Sequence, residues 1–225
     1  MSDRHLGPLA LVGGREWTDG CTFDADLLAS SGAAEVLVLP TAAAYEHPQR
    51  AVDRAAAWFG ALGARVRGLM VLSRTDAEDD ANARAVREAR FVYLSDGSPM
   101  HVRSVLKLSK VWHALDQAWE DGAAVAGSGA GAMILGDPMI DPRGGAFTIG
   151  LGLIELVAVL PAASTWSAER LRRTVSLAPE GVALVAIDEA TAVVRGPDGT
   201  WASAGVGAVE VHVGGAAADL SALPR

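Results

Sequence analysis

Ala123-Ala124-Val125-Ala126-Gly127-Ser128-Gly129-Ala130-Gly131-Ala132-Met133 changes character twice. A short apolar run enters a loop of small residues, and an apolar helix start follows. A continuous apolar run bounded by turn residues reads as a strand covered on both faces. Upstream, the same grammar repeats. Leu9 to Val12 ends in Gly13-Gly14, Glu35 to Leu39 is stopped by Pro40, and Arg67 to Leu72 and Phe91 to Leu94 read as two further strands. Helical spacing fills the gaps. Asp24 to Ser31 is closed by Gly32, Pro48 to Leu62 sets Val52, Ala55, Phe59 and Leu62 on one face, Asp79 to Ala89 is polar, and Pro99 to Glu120 reads as one long helix. Strands of four to six residues alternating with helices of ten or more imply parallel βαβ units.

The last third differs. Leu184 to Ile187, Thr191 to Arg195, Gly199 to Ala202 and Val209 to Val213 are short, with turn residues such as Pro197-Asp198-Gly199 between them. They are expected to extend the same sheet in antiparallel fashion. The expected fold is α/β: one domain over residues 1–225, a three-layer α/β/α sandwich with a mostly parallel, doubly wound sheet and an antiparallel C-terminal extension. Ligands of such sheets bind beyond the carboxyl ends of the strands. That singles out Gly13 to Glu16, Thr41 to Glu46, Ser73 to Asp76, Ser95 to Met100 and Gly127 to Gly131.

Composition excludes several classes. The chain has 225 residues, half of them hydrophobic, which rules out disorder. Its 19 Lys and Arg against 27 Asp and Glu give a net charge of −8. Phosphate backbones repel such a chain, and Arg170, Arg172 and Arg173 are too short a basic stretch for a nucleic-acid footprint. Met1 to Pro8 lacks the apolar run of a signal peptide, and no stretch reaches the roughly 18 apolar residues of a spanning helix. A cytoplasmic protein with no membrane partner is expected. The lone Cys21 excludes an internal disulfide and reads as an incidental thiol. His47, His113 and His212 stand isolated, and no H-x-x-x-H or C-x-x-C spacing exists, so no metal is expected. The acidic run Asp76, Glu78, Asp79 and Asp80 opens a helix and reads as capping. Gly127 to Gly131 lacks G-x-G-x-x-G spacing and a following Lys-Ser/Thr, so no nucleotide cofactor is expected. Trp112, Trp119, Trp166 and Trp201 are expected to pack helices or to serve the interface of a homodimer.

The strand–turn–helix at Gly127-Ser128-Gly129-Ala130-Gly131 is the setting of a nucleophile elbow, G-x-S-x-G. Here the central position is Gly129, which accepts the strained turn but brings no nucleophile. With Gly13-Gly14-Arg15-Glu16, Leu39-Pro40-Thr41-Ala42, Val92 to Pro99 and Gly150-Leu151-Gly152-Leu153, the elbow resembles the serine peptidase family of dipeptidase E and cyanophycinase, within the class I glutamine amidotransferase-like fold. The resemblance covers most of the chain. It implies a serine at position 129, a histidine after a short strand where Leu160-Pro161 is followed by Ala162, and an oxyanion hole built from paired glycines where this chain has Asp96-Gly97. A carboxylate at Asp96 would repel a developing oxyanion. The expectation is a peptidase homologue without peptidase activity, keeping a cleft for a small-molecule or peptide ligand. Gly97, Ser98, Arg15, Glu16, Ala130, His101 and Arg143 are the candidate binding residues. The alternative is an active enzyme, using Asp96 for acid–base chemistry with His101 or Arg15 as partner, or hydrolysing through Ser128.

Overall fold

The computed structural model describes residues 6–225; the Met1 to His5 part of the N-terminal reading lies outside them. The elements run β1 Leu9–Val12, α1 Phe23–Ser31, β2 Glu35–Leu39, α2 Pro48–Ala61, β3 Arg65–Gly68, α3 Arg74–Ala77, α4 Asp80–Arg87, β4 Phe91–Leu94, α5 Pro99–Leu106, α6 Lys110–Glu120, β5 Ala124–Ser128 and α7 Ala130–Leu135. Four two-residue strands follow: β6 Gly136–Asp137, β7 Met139–Ile140, β8 Phe147–Thr148 and β9 Ile154–Glu155. The chain ends with β10 Val157–Pro161, α8 Ala168–Ser176, β11 Ala183–Ile187, β12 Thr191–Arg195, β13 Trp201–Gly205, β14 Val209–Val213 and β15 Ala216–Ala218.

The main sheet has seven strands in the order β13-β12-β1-β5-β4-β2-β3. The five from β1 to β3 are parallel, and β12 and β13 add antiparallel at the β1 side. Side chains alternate faces along each strand. Leu9, Leu11, Val92, Leu94 and Val125 pack on the α5–α6–α7 side, while Ala10, Val12, Tyr93, Ala124 and Ala126 pack on the α1–α2 side. Both faces are covered, which is why these strands are continuously apolar.

The C-terminal extension is split between two sheets, which corrects the expectation of one. Only β12 and β13 join the main sheet; β11 and β14 lie in a second sheet of order β10-β11-β14-β15. The cause is a βαβ unit. β10 and β11 pair in parallel, and parallel neighbours need a crossover, here α8. Leu160, Leu184, Ala186 and Val175 form a separate small core with Met133 and Ile140. This unit carries residues 162 and 170 to the mouth of the main sheet.

The long helix expected over Pro99 to Glu120 is two helices. Leu108 takes a positive φ of 55°. The buried Ser109 then caps α6, its Oγ accepting the Trp112 N–H at 3.1 Å. Arg74 closes α5 by donating to the carbonyls of Val105, Lys107 and Leu108. The third strand occupies Arg65–Gly68 rather than Arg67 to Leu72, because Glu35 pairs with Arg65 at its start. The acidic run caps as expected: Ser73 and Asp76 form a capping box, and Asp79 accepts the N–H groups of Ala81 and Asn82. Trp112 and Trp119 are buried against their own chain, the indole of Trp119 donating to the Gly7 carbonyl at 2.8 Å. Among the described residues no helix is long and apolar enough to cross a membrane.

Candidate functional site

The site lies beyond the carboxyl ends of β1, β4 and β5. β5 ends at Ser128, and Gly129 turns the chain into α7 with φ 51° and ψ −110°. Side chains are strained in that region of backbone space, and glycine is not. Gly97, at φ 145°, is the second forced glycine: a Cβ there would stand 2.3 Å from the Ala42 carbonyl oxygen.

Between these turns lies Asp96. Its Oδ1 accepts two backbone N–H groups, Gly97 at 2.7 Å and Ala130 at 2.7 Å. A Cβ at position 129 would fall 2.0 Å from that same oxygen. The carboxylate therefore fills the space a residue-129 side chain would need. It also takes the two donors that face that space. The Asp96 carboxyl itself thus sits against these two N–H groups.

Ser128 is fully buried, and its hydroxyl donates to Glu16 Oε2 at 2.8 Å. The hydroxyl is therefore held inside the protein and lines neither lobe of the cleft. Glu16 is itself buried, and its Oε1 lies 3.4 Å from Arg54 Nη2 and 3.4 Å from the Asp96 N–H. One carboxylate thus ties the β1 loop to α2, the elbow and the Asp96 turn.

Ala162 and Gly129 line one cavity of about 340 Å³ with Gly13, Gly14, Arg15, Asp96, Gly97, Ala130, Trp166 and Arg170. Ala162 sits at φ 49°, ψ 46° and donates its N–H to the Gly13 carbonyl at 2.7 Å. A second cavity of about 510 Å³ shares Arg15, Asp96 and Gly97 with the first and continues along Glu16, Trp17, Glu46, Arg50 and Arg54. The two form a two-lobed cleft divided at Asp96.

Three proposed binding residues stand elsewhere. Arg143 forks onto Asp141, Nε to Oδ1 at 3.0 Å and Nη2 to Oδ2 at 2.6 Å, and lines neither lobe; the resulting pair holds the Asp141 carboxyl down at about 2. His101 turns its Nε2 to the Leu72 carbonyl at 3.0 Å and its ring edge to Tyr45, so it is no partner of Asp96. Ser98 caps α5 through the His101 N–H at 3.3 Å.

Arg50, Arg54 and Trp17 line the cleft without having been singled out, and Trp166 and Arg170 line it without having been read as site residues. Arg170 is the instructive miss. Its basic run reads as too short for a nucleic-acid footprint, yet its guanidinium stacks 3.7 Å from the Trp166 ring and donates to the Pro142 carbonyl at 3.1 Å. The usable signal was the βαβ pattern around α8, which places the start of that helix over the elbow.

Beneath the larger lobe, Trp17 packs on Tyr93 with ring centroids 5.2 Å apart. Burial pushes the Asp24 carboxyl up to about 8, although the Trp58 indole donates to it at 2.9 Å and favours the charged form. Burial also raises the Tyr93 hydroxyl and the Cys21 thiol above their ordinary values. Among the described residues no group of His, Cys, Asp and Glu could hold a metal ion.

The model of peptidase family S51 matches residues 21–199. The chain belongs to peptidase family S51. The match is the family read from the elbow and its flanking motifs. Among solved structures, a peptidase from an acI-B1 actinobacterium is similar, with 27% identity over 93% of this chain and 91% of that one and a TM-score of 0.83. A putative peptidase E protein from Listeria monocytogenes EGD-e shares the fold, with 14% identity over 92% and 98% of the two chains and a TM-score of 0.65. No curated protein matches.

Proposed function

We propose that this S51 member does not cleave peptides by a serine mechanism and instead binds a small-molecule or peptide ligand in its two-lobed cleft. One observation carries the reading: the Asp96 carboxylate holds the Gly97 and Ala130 N–H groups and fills the space beside Gly129. Acyl transfer needs a nucleophile, a base and donors aimed at the oxyanion. Position 129 offers no hydroxyl, position 162 no imidazole, and the donors are already taken. In the subtilisin precedent, loss of the serine or the histidine alone costs on the order of 10⁶ in rate. The cleft around these positions remains open and is lined by arginine and tryptophan side chains that can hold a ligand.

The test is a serine-directed fluorophosphonate probe with a parallel assay on Asp- and β-Asp-containing dipeptides. The expected result is no adduct and no turnover. An adduct on Ser128, or turnover by the pure protein that Ser128→Ala abolishes, would overturn the reading.

A further inference from the structure

We propose that Asp96 is a carboxylate nucleophile, and that the smaller lobe presents to it a compact apolar molecule with an electrophilic saturated carbon, a terminal epoxide. This goes beyond the ligand-binding reading above.

A strand-to-helix elbow aims a reacting atom over the sheet. Here that atom comes from the neighbouring loop. A Cβ on Gly129 would lie 2.5 Å from Asp96 Oδ2, so this oxygen stands where a side chain at the elbow would project. Oδ1 is held by the Gly97 and Ala130 N–H groups, both at 2.7 Å. Oδ2 takes no hydrogen bond and no ion pair among the described residues. On its other flank, a Cβ on Gly14 would be 3.9 Å away. Gly14 and Gly129 both line the smaller lobe, so neither flank carries a side chain to screen the free oxygen from it. The remaining walls include Pro99, Met133, Ile140, Pro161, Ala162 and Trp166, which suit a hydrocarbon body. The lobe's charged side chains turn to other partners: Arg15 to Glu189 at 3.8 Å, Arg170 to the Trp166 ring and the Pro142 carbonyl.

Carboxylates serve as nucleophiles in covalent catalysis. Oδ2 forms the bond to the unsubstituted ring carbon. The ring C–O bond breaks, its electron pair stays on the ring oxygen, and that oxygen takes a proton from water. The product is a hydroxyalkyl ester of Asp96 with Oδ1 as its carbonyl oxygen. The hydroxide left behind adds to Cγ, and negative charge gathers on Oδ1. Two N–H donors already stand 2.7 Å from that oxygen, the arrangement that stabilises an oxyanion. Collapse breaks the Cγ–Oδ2 bond, and the departing alkoxide takes the proton of the added hydroxyl. The sum is epoxide plus water giving a vicinal diol, with the carboxylate restored and one of its oxygens drawn from water.

Single-turnover reaction of hex-1-ene oxide with excess full chain, in water enriched in the heavy oxygen isotope, tests the proposal by peptide and product mass spectrometry. Asp96 is expected to carry either the hydroxyhexyl group or one heavy oxygen, and the diol none. Labelling at Asp96 should run at least about a hundredfold faster than at Glu46 or Glu189, which line the same cleft, because only Asp96 is positioned. Asp96→Asn keeps an acceptor for the two N–H groups and should abolish the reaction while retaining a cooperative thermal transition. Neither mark at Asp96, heavy oxygen in the diol alone, or labelling at Asp96 no faster than at Glu46 would overturn the proposal. Those outcomes leave the fluorophosphonate and dipeptide results untouched, so the two readings fail separately.

Discussion

Asp96 and Gly129 occupy complementary halves of one space: a Cβ on Gly129 would lie 2.0 Å from Asp96 Oδ1 and 2.2 Å from its Cγ. The glycine is therefore not a simple gap where a serine could be reinstated. The turn residue and the loop carboxylate are a matched pair. Either one constrains the other.

Gly129→Ser alone should destabilise the chain. It places a side chain at φ 51°, at a cost of about 1–3 kcal/mol, and drives Asp96 off the Gly97 and Ala130 N–H groups. A fall of several degrees in Tm is expected. Asp96→Gly should lower Tm in the parent chain, where two N–H groups lose their acceptor, but raise it in the Gly129→Ser background. Thermal denaturation of the four proteins forms a double-mutant cycle. Additive effects would show that the two residues do not compete for the same space.

Glu16 ties three segments together. Glu16→Ala leaves the buried Ser128 hydroxyl without its acceptor, at a cost of about 1–3 kcal/mol, and releases Arg54. Glu16→Gln keeps an acceptor for Ser128 and should recover much of that loss. Urea unfolding of both variants checks this; equal destabilisation would mean that the charge, and not the hydrogen bond to Ser128, is what matters.

Much of the architecture is legible because it rests on local pattern. The parallel strands are short apolar runs with turn residues at both ends, and Gly13-Gly14, Asp96-Gly97 and Gly127 to Gly131 fall where strand ends must turn. The family follows from those same turns. Legibility ended where long-range packing chose between local options. Ser109 caps a helix within an unbroken apolar periodicity, and nothing nearby announces that Leu108 adopts a positive φ. Whether Leu184 to Ile187 joins the first sheet or a second depends on its pairing with Val157–Pro161, over twenty residues away. That glycine stands at position 129 and alanine at position 162 was readable as residue types. That Asp96 would bridge the two turns was not, because the bond joins residues 34 apart to a backbone donor.

Cys21 is fully buried, and burial raises its thiol above the ordinary value of 9.0. The thiolate is the reactive form, so the native chain should react negligibly with a thiol-directed disulfide reagent at pH 7.5. One thiol should react per chain after denaturation in guanidinium. Stoichiometric reaction of the native chain within minutes would show that the α1 entry loop opens far more readily than its packing implies.

Asp24 should leave a signature in the pH dependence of stability. Burial raises its carboxyl from the ordinary 3.8 to about 8 in the folded chain. Between those values the folded chain holds a proton that the unfolded chain releases, so the unfolded state binds fewer protons and stability falls as pH rises from about 4 to about 8. Above about 8 both states are ionised and this contribution is level. Exposed carboxylates work in the other direction. Asp141, held at about 2 by Arg143, adds stability above about pH 4 that is lost as the pH falls toward 2. Asp24→Asn removes the ionisation but keeps an acceptor for the Trp58 indole. Urea midpoints measured from pH 5 to 9 should decline for the parent chain and stay flatter for Asp24→Asn, with the variant gaining on the parent as the pH rises. Parallel profiles would place the ionised Asp24 in contact with water that its burial excludes.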